Sequence, residues 1–308
     1  MYETYHIPVL REEVARYLLH RKDGIYVDGT LGGGGHAAFL IKQLNSNARY
    51  IGIDQDIDAI NFAQKRLSHY KNVIYEQANF NDTHSVLKKL NIRNIDGFFL
   101  DLGISSYQIE NPLRGFTYMK EGPLDMRMDQ KQTKSAYNLL NESSELDLKK
   151  IFRDFGEERH SGRIARQISL ERKKQPIQTS TQLCRIIDKV VEKNQAVKSY
   201  ARIFQAIRIS VNAELTSLDS TLKNCLTFIR RGGRLVVIAY HSLEDRIVKT
   251  FLKQRENPCV CPPEFPYCVC GKEPRLKILT KRPVKADIEE IRTNSRARSA
   301  HLRAGEIL

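Results

Sequence analysis

The stretch Ile25-Tyr-Val-Asp-Gly-Thr-Leu-Gly-Gly-Gly-Gly-His36 decides the fold. Its first three residues are apolar and partly β-branched, which predicts a short buried strand. The glycines that follow permit positive φ angles and let backbone N–H groups approach a ligand closely. After His36, the spacing of Leu40, Ile41 and Leu44 predicts a helix. The order strand, glycine loop, helix is typical of α/β ligand-binding proteins, although a plain tight turn has the same pattern.

The glycine loop differs from the motifs that bind phosphate groups. It lacks the usual G-x-G-x-x-G register, and no Gly-Lys-Ser/Thr follows, which excludes a P-loop. The next predicted strand, 49–54, ends in Asp54, where an acid in a doubly wound sheet reaches the hydroxyls of a bound ribose. Asp28 and the absence of lysine from the loop favour an adenosyl group that carries a sulfonium. The sequence therefore predicts S-adenosylmethionine as a ligand.

A third acid, Asp101, ends the strand predicted over 95–101. Because the carboxyl ends of parallel strands meet at one edge of a sheet, Asp28, Asp54 and Asp101 are expected to line one ligand site. A strand over 72–76 precedes Phe80, which is expected either to flank the adenine or to be a plain core aromatic. The predicted fold is a Rossmann-like α/β sheet.

Helical spacing replaces the strand pattern in the middle of the chain. We expect a discontinuous methyltransferase-type α/β domain, residues 1–108 and 209–308, and an all-helical insertion, residues 109–208. Arg159, Arg163 and Arg166 are spaced to share one helix face beside the site, which suits RNA phosphates, although a solvated face has the same spacing. After the insertion, Gly232-Gly233 is predicted to cap a helix before a fifth parallel strand.

Composition and charge narrow the class of partner. The chain has 308 residues, 41% of them hydrophobic, and a formal net charge of +14, which favours an anionic partner such as nucleic acid. It has neither an apolar run long enough to cross a bilayer nor an apolar signal core, so we expect a cytoplasmic protein. His6 could line the ligand site, although an ordinary surface or core histidine is the commoner case.

The cysteines fall into two groups. Cys259-x-Cys261-x6-Cys268-x-Cys270 lies in a proline-rich loop, where it indicates either a zinc site or a reduced or redox-active loop. Cys184 and Cys225 lie in helical patterns and are predicted to be buried thiols. Because no cysteine follows a strand at the ligand edge, a covalent mechanism at a pyrimidine C5 is unsupported. No metal is expected at that edge.

Seven segments, in order along nearly the whole chain, match the pattern of one family. They are Thr30-Leu-Gly-Gly-Gly-Gly-His36, Asp101-Leu-Gly-Ile-Ser-Ser106, Pro123-Leu-Asp-Met-Arg-Met-Asp129, Phe155-Gly-Glu-Glu-Arg159, Phe204-Gln-Ala-Ile-Arg208, Tyr240-His-Ser-Leu-Glu-Asp-Arg246 and Asn294-Ser-Arg-Ala-Arg-Ser-Ala-His-Leu-Arg303. They resemble the bacterial ribosomal RNA small-subunit methyltransferase H family. The resemblance implies methylation of N4 of a cytidine in the decoding region of 16S rRNA, with the small ribosomal subunit as partner. Neither DNA nor a membrane is an expected partner, and a homodimer is left open.

The resemblance also implies a set of site residues. Carried over position by position, the cofactor contacts are Gly34, Gly35, His36, Asp54, Phe80, Asp101 and Gln108. Asp101 is the predicted catalytic residue, because an acceptor there could bond the hydrogens of an exocyclic amino group and free its lone pair. Asp101-Leu-Gly-Ile stands where amino-methyltransferases usually have Asp/Asn-Pro-Pro-aromatic. The role of Asp101 is therefore open between a cofactor ligand and an orienter of the base.

Three other hypotheses compete with an RNA methyltransferase. A methyltransferase of proteins or small molecules is disfavoured by the net charge of +14 and by the basic helix face. A non-catalytic RNA-binding assembly factor is disfavoured by the three acids at strand ends, which a decayed pocket would not need. A nicotinamide oxidoreductase is less favoured still, because the glycine register is wrong.

Overall fold

The computed structural model describes residues 8–262, 264–265, 267 and 269–308, so His6 and Cys268 lie outside the described residues. The chain divides into two compact units. The sheet unit comprises Met1–Gly103 and Leu215–Leu308, and the helical unit comprises Ile104–Glu214. No helix within the described ranges has the length and apolar content that crossing a bilayer requires.

Seven strands form the single sheet of the sheet unit. They are β1 (Ile25–Asp28), β2 (Arg49–Asp54), β3 (Val73–Gln77), β4 (Ile95–Asp101), β5 (Ile229–Ala239), β6 (Leu276–Ile278) and β7 (His301–Ile307). Their order across the sheet is β3-β2-β1-β4-β5-β7-β6. Strands β1 to β5 run parallel, and β7 pairs antiparallel with both β5 and β6. This is the Rossmann-like α/β sheet that the sequence predicts.

Thirteen helices are assigned in the described part of the chain. They are α1 (Arg11–Leu18), α2 (Gly35–Ile41), α3 (Ile57–Arg66), α4 (Thr83–Lys89), α5 (Ser106–Glu110), α6 (Ala136–Glu142), α7 (Glu145–Asp154), α8 (Ser161–Glu171), α9 (Ser180–Asp188), α10 (Ala196–Val211), α11 (Glu214–Cys225), α12 (Ser242–Glu256) and α13 (Ile288–Thr293). Short 3-10 helices cover Phe80–Asp82, Pro112–Arg114 and Ser295–Ser299. Helices α5 to α10 belong to the helical unit.

Both faces of the parallel strands are buried. In β4, Phe98 and Leu100 pack into a core shared with α4, α11 and α12, whereas Phe99 points into the core formed with α1, α2 and α3. In β5, Val237 packs into the first of these two cores and Val236 into the second. Successive side chains of a strand point to opposite faces, and helices cover both faces of a parallel sheet. This explains why these strands are almost continuously apolar in sequence.

The strand order creates a crevice at the carboxyl edge of the sheet. From β1 the chain builds outwards to β2 and β3, and then returns to place β4 on the other side of β1. Ligands of open α/β sheets bind where the order reverses in this way. Asp28 ends β1 and Asp101 ends β4, so two of the three predicted acids flank the reversal point.

The helical unit has an apolar core of its own, to which all of its helices except α5 contribute buried side chains. Its long loop 123–129 is held by Asn212 at the end of α10. The Asn212 Oδ1 accepts the N–H of Met128 and its Nδ2 donates to the carbonyl of Met126, both at 2.8 Å. Arg114 donates to the carbonyls of Arg127 and Met128. These bonds order a loop that carries no regular secondary structure.

Two predictions about local structure are wrong. Gly232-Gly233 does not cap a helix: α11 ends at Cys225, and both glycines lie inside β5, where φ is +77° at Gly232. Ile95 pairs with Ile229 but Gly97 pairs with Arg234, so the glycines form a bulge. Arg159 does not share a helix with the other two arginines, because α8 begins only at Ser161.

The predicted domain boundaries differ by a few residues from the limits of the two compact units. The boundary after residue 108 lies inside α5, and the boundary after residue 208 lies inside α10. The compact units instead change at Gly103 and at Glu214. Gly103 adopts φ +100°, which permits the turn that directly follows β4.

Candidate active site

The loop between β1 and α2 lies at the carboxyl edge of the sheet. Two of its glycines need their conformational freedom, because φ is +52° at Gly32 and +72° at Gly34, the N-cap of α2. A Cβ on Gly29 would lie only 2.7 Å from Cδ2 of Leu100, so a larger residue there would displace the loop. Gly34 and Gly35 are two of the residues predicted to contact the cofactor. Gly34 ends this closely packed loop, and Gly35 begins α2.

Asp54 ends β2 and faces this loop. Its Oδ2 accepts the N–H of Gly32 at 2.8 Å, and its Oδ1 accepts the N–H of Asp56 at 2.9 Å. Burial raises the pKa of Asp54 to about 6, although both hydrogen bonds act in the opposite direction. The carboxylate thus holds the glycine loop against β2, at the position where the sequence predicts a ribose contact.

Asp28 is the most deeply buried of the three acids, with 1% of its surface exposed. Its Oδ1 accepts the N–H of Thr30 at 3.1 Å, and its Oδ2 accepts the hydroxyl of Tyr50 at 3.0 Å. Tyr50 lies two residues before Gly52, the register partner of Asp28, so the two side chains leave the same face of the sheet. Burial, reinforced by the charges of Asp101 and Asp54, raises the pKa of Asp28 to about 7.

Asp101 is held from two sides. The hydroxyl of Tyr240, just after β5, donates to Oδ1 of Asp101 at 2.8 Å. Nδ1 of His36 lies 3.5 Å from Oδ2 of Asp101. The backbone N–H of Asp101 donates to Oγ1 of Thr30 at 2.6 Å, which ties the end of β4 to the glycine loop. Burial and the Asp101 charge raise the pKa of Tyr240 well above its ordinary range, so its hydroxyl remains a donor.

The contacts of His36 show which of its two ring nitrogens carries a hydrogen. Nε2 lies 2.9 Å from the carbonyl oxygen of Val9, which can only accept a hydrogen bond, so Nε2 carries a hydrogen. In the neutral ring Nδ1 is then an acceptor, and it donates to Asp101 only in the imidazolium form. The ring also packs edge-on against Phe99. His36 is therefore a buried ring beside Asp101, and it can hold the carboxylate by a hydrogen bond only in the imidazolium form.

The remaining two predicted contacts have different surroundings. Phe80 begins the 3-10 helix after β3, is half-buried against the core, and its Cβ lies 3.0 Å from the position of a Cβ on Gly29. It is thus a partial core aromatic next to the loop. Gln108 belongs to the helical unit, where its Oε1 accepts the N–H of Ser105 at 3.1 Å in the capping box of α5. Contact of either residue with a cofactor stays a prediction.

Sequence reasoning missed the residues that support the acids. Thr30 and Tyr50 bind Asp28, and Tyr240, which the motif places only near the site, binds Asp101 directly. The position of Tyr50 follows from the register between β1 and β2, which no local pattern reveals. Thr30 directly follows the turn at Gly29, so its proximity could have been inferred.

The arrangement favours a cationic ligand. The pKa of Asp28 is raised in part by the charges of Asp54 and Asp101, so Asp28 is close enough to each of these carboxylates to be repelled by it. A cation placed among them would lower that repulsion and favour the ionised carboxylates. Hydrogen-bond acceptors that are already held in place cost little reorganisation when a ligand arrives. The edge therefore suits a group that carries a sulfonium and an ammonium.

Known proteins match the chain over almost its full length. The model of the MraW methylase family matches residues 3–308. Ribosomal RNA small subunit methyltransferase H from Clostridium botulinum (strain Loch Maree) is 48% identical over 303 residues, which cover 98% of each chain. The protein of that name from Carboxydothermus hydrogenoformans is 47% identical over 309 residues, which cover 99% of each chain.

Similarity to solved structures is much weaker. An rRNA methylase from Streptococcus thermophilus is 12% identical, with a TM-score of 0.41, and the match covers 97% of this chain and 93% of that one. A likeness at that level supports no inference about this chain.

The family match agrees with the resemblance that the seven sequence segments indicate. It also confirms the predicted methyl donor, for which the acidic edge of the sheet is chemically suited. The chain belongs to the MraW methylase family and is a methyltransferase that uses S-adenosylmethionine.

Proposed function

We propose that this chain methylates N4 of a cytidine in the decoding region of 16S rRNA. The names of the relatives, ribosomal RNA small subunit methyltransferase H, support an rRNA substrate. The finer proposal depends on one observation. The carboxylate of Asp101 ends β4 beside the glycine loop, is held by the hydroxyl of Tyr240 and lies 3.5 Å from Nδ1 of His36.

An amino group attached to a pyrimidine ring is a poor nucleophile, because the ring delocalises its lone pair. When bound, S-adenosylmethionine would supply an electrophilic methyl group, whose bond to sulfur breaks as the bond to nitrogen forms, and the amino nitrogen would then lose one proton to solvent. Asp101 would accept a hydrogen bond from the amino group, which turns the nitrogen towards a pyramidal form with its lone pair available. Its contribution is orientation together with stabilisation of the positive charge that develops on N4.

The contacts of Asp101 suit this role. Because Tyr240 stays protonated, it donates to Oδ1 and holds the carboxylate in one orientation. A carboxylate oxygen has two lone-pair sites, so donation from Tyr240 does not exhaust the accepting capacity of Oδ1. The alternative role for Asp101, a direct contact with the cofactor, uses the same accepting capacity. The two roles differ in whether turnover or cofactor affinity depends on Asp101.

Methylation at C5 of a pyrimidine would require a nucleophilic thiolate near the base. Burial raises the pKa of Cys184 and of Cys225 to about 12, so both thiols stay protonated and inert. Cys259, Cys261 and Cys270 lie in the loop between α12 and β6. The surroundings of these cysteines therefore favour a mechanism without a covalent enzyme–base bond.

We infer that the helical unit contacts the RNA backbone. Arg163 and Arg166 are exposed on α8, and the whole chain carries a net charge of +14. Arginine side chains on a free helix face bind phosphates without sequence preference and so position the RNA. RNA bases in a stack must be displaced before their amino groups can be reached, so a flipped or loop nucleotide is the expected substrate. A cytoplasmic location and a homodimer stay predictions.

The direct test uses small ribosomal subunits from a strain that lacks the activity. The full chain is incubated with them and with methyl-labelled S-adenosylmethionine. One portion of the RNA is digested to nucleosides, which are separated by chromatography against standards, and a second portion is cut into mapped fragments to locate the label. We expect label in N4-methylcytidine from one position of 16S rRNA. Label only in C5-methylcytidine, in a 2′-O-methyl nucleoside or in protein would refute the proposal. Free 16S rRNA run in parallel shows whether the assembled subunit is required.

A further inference from the structure

The loop between α12 and β6 brings together three cysteines that the methyl-transfer site does not use. The Sγ atoms of Cys259, Cys261 and Cys270 all lie within 4.8 Å of one another. The base of the loop is closed, because the N–H of Arg275 donates to the carbonyl of Arg255 at 2.9 Å. The N–H of Ile278 also donates to Oε1 of Glu256 at 2.8 Å. The two ends of the loop are therefore joined by hydrogen bonds, and the loop carries a cluster of three thiols.

The spacing of the sulfur atoms fits a tetrahedral metal. Zinc–thiolate bonds of about 2.3 Å in a tetrahedron place the sulfurs about 3.8 Å apart. Sγ of Cys270 lies 3.9 Å from Sγ of Cys259, close to that distance and well beyond the length of about 2.05 Å of a disulfide bond. The N–H of Val269 lies 3.4 Å from Sγ of Cys261 and donates to it.

The described residues of the loop offer few other contacts that would keep it folded. Its large apolar side chains point into solvent: Val260 is 67% exposed, Phe265 49%, Tyr267 74% and Val269 62%. They therefore form no apolar core that could hold the loop together. Short segments without a core usually depend on a disulfide or a metal for their order. In this loop, a metal bound by the three cysteines would supply that order.

We propose that Cys259, Cys261 and Cys270 bind a structural zinc ion. A closed structural site needs four ligands, and Cys268 is the fourth thiol that the sequence offers, although it lies outside the described residues. Each thiol loses its proton to solvent as it binds the metal, so the affinity falls as the pH is lowered. Thiolates select soft or borderline ions, which excludes magnesium and calcium as occupants.

The test uses the full chain without a histidine tag. Protein purified in reducing buffer is analysed for zinc, stripped with a chelator and titrated with Zn²⁺ and Co²⁺. We expect one zinc per chain and a visible cobalt spectrum typical of tetrahedral thiolate coordination. Zinc binding should protect residues 257–275 from protease. Cys259→Ser and Cys270→Ser should each weaken zinc binding at least tenfold, whereas Val260→Ser, an exposed change in the same loop, should leave it unchanged.

Three results would overturn the proposal. One is a reduced chain that binds no zinc under these conditions. A second is wild-type zinc affinity in the Cys259→Ser and Cys270→Ser variants, which would place the metal elsewhere. A third is a native chain isolated with a disulfide between these cysteines, which would identify a redox-active loop instead. Wild-type affinity in Cys268→Ser would overturn the four-thiolate site.

Discussion

Replacing Asp28 with asparagine should make the folded protein less sensitive to pH. Asp28 is buried, and its pKa is raised from an ordinary 3.8 to about 7. Between those two pH values the folded protein holds a proton that the unfolded chain has already lost. The resulting stabilisation is fully present below pH 3.8 and is lost as the pH rises through 7. Asparagine stays neutral at every pH and has no such loss.

The size of the effect follows from the two pKa values. Between pH 5 and pH 8, the contribution of Asp28 to the free energy of unfolding should fall by about 2.5 kcal/mol. The wild type should show this fall, whereas the Asp28→Asn protein should lack it. The side chain of asparagine fits the same bonds, because its oxygen can accept from Thr30 and the hydroxyl of Tyr50 can turn to accept from its amide. A comparison between two pH values also cancels any change in the free energy of unfolding that the substitution causes equally at both.

The assay is urea unfolding at pH 5 and at pH 8, without cofactor, for the wild type and for Asp28→Asn. Because the chain has two units, circular dichroism should be accompanied by hydrogen exchange at β1 and β4, which reports on the sheet unit itself. Asp23→Asn, an exposed acid that precedes β1, is the matched control and should keep the wild-type pH dependence. An Asp28→Asn protein with that same dependence would refute the claim that burial raises the pKa of Asp28.

Three further predictions concern the proposed function. Because the pKa of Asp54 is about 6, affinity for S-adenosylmethionine should fall as the pH drops below that value, whereas Asp54→Asn should bind weakly and keep only the part of the pH dependence that comes from Asp28, as measured by calorimetry. Asp101→Asn should lower kcat at least about 100-fold and cofactor affinity much less, with a smaller effect for Tyr240→Phe; equal losses would favour the cofactor-ligand role. Arg163→Glu with Arg166→Glu should weaken RNA binding at low salt and leave cofactor affinity unchanged, as filter binding and calorimetry can show.

Much of the sheet unit was predictable from local pattern. β1, β2 and β4 are short apolar runs that end in an acid, and the glycines after β1 mark the turn into α2. These features depend on residues adjacent in sequence, for which periodicity and turn chemistry are good guides. The acids themselves were predictable for the same reason, because a parallel sheet brings its strand ends together whatever the connections are.

The errors arose where non-local pairing decides the structure. A Gly-Gly pair before an apolar run suits both a helix C-cap and a bulge, and only the pairing of β5 with β4 distinguishes them. Arg159 has helical spacing relative to Arg163, but Glu157 adopts φ +50° and interrupts the helix between α7 and α8. Neither the register between two strands nor a positive φ angle at a single residue other than glycine can be predicted reliably from the local sequence.

The buried acids link the stability of the fold to the occupancy of its site. Asp28 is held by Thr30 and Tyr50, yet those bonds do not offset the loss of hydration, since its pKa remains about 7. A neutral ligand would leave the pKa of Asp28 raised, and an anionic ligand would raise it further. A ligand with a net positive charge would reduce it, and would favour the ionised form of Asp28 at neutral pH. We therefore expect the carboxylates that destabilise the sheet unit at high pH to favour a cationic methyl donor over a pyrophosphate cofactor.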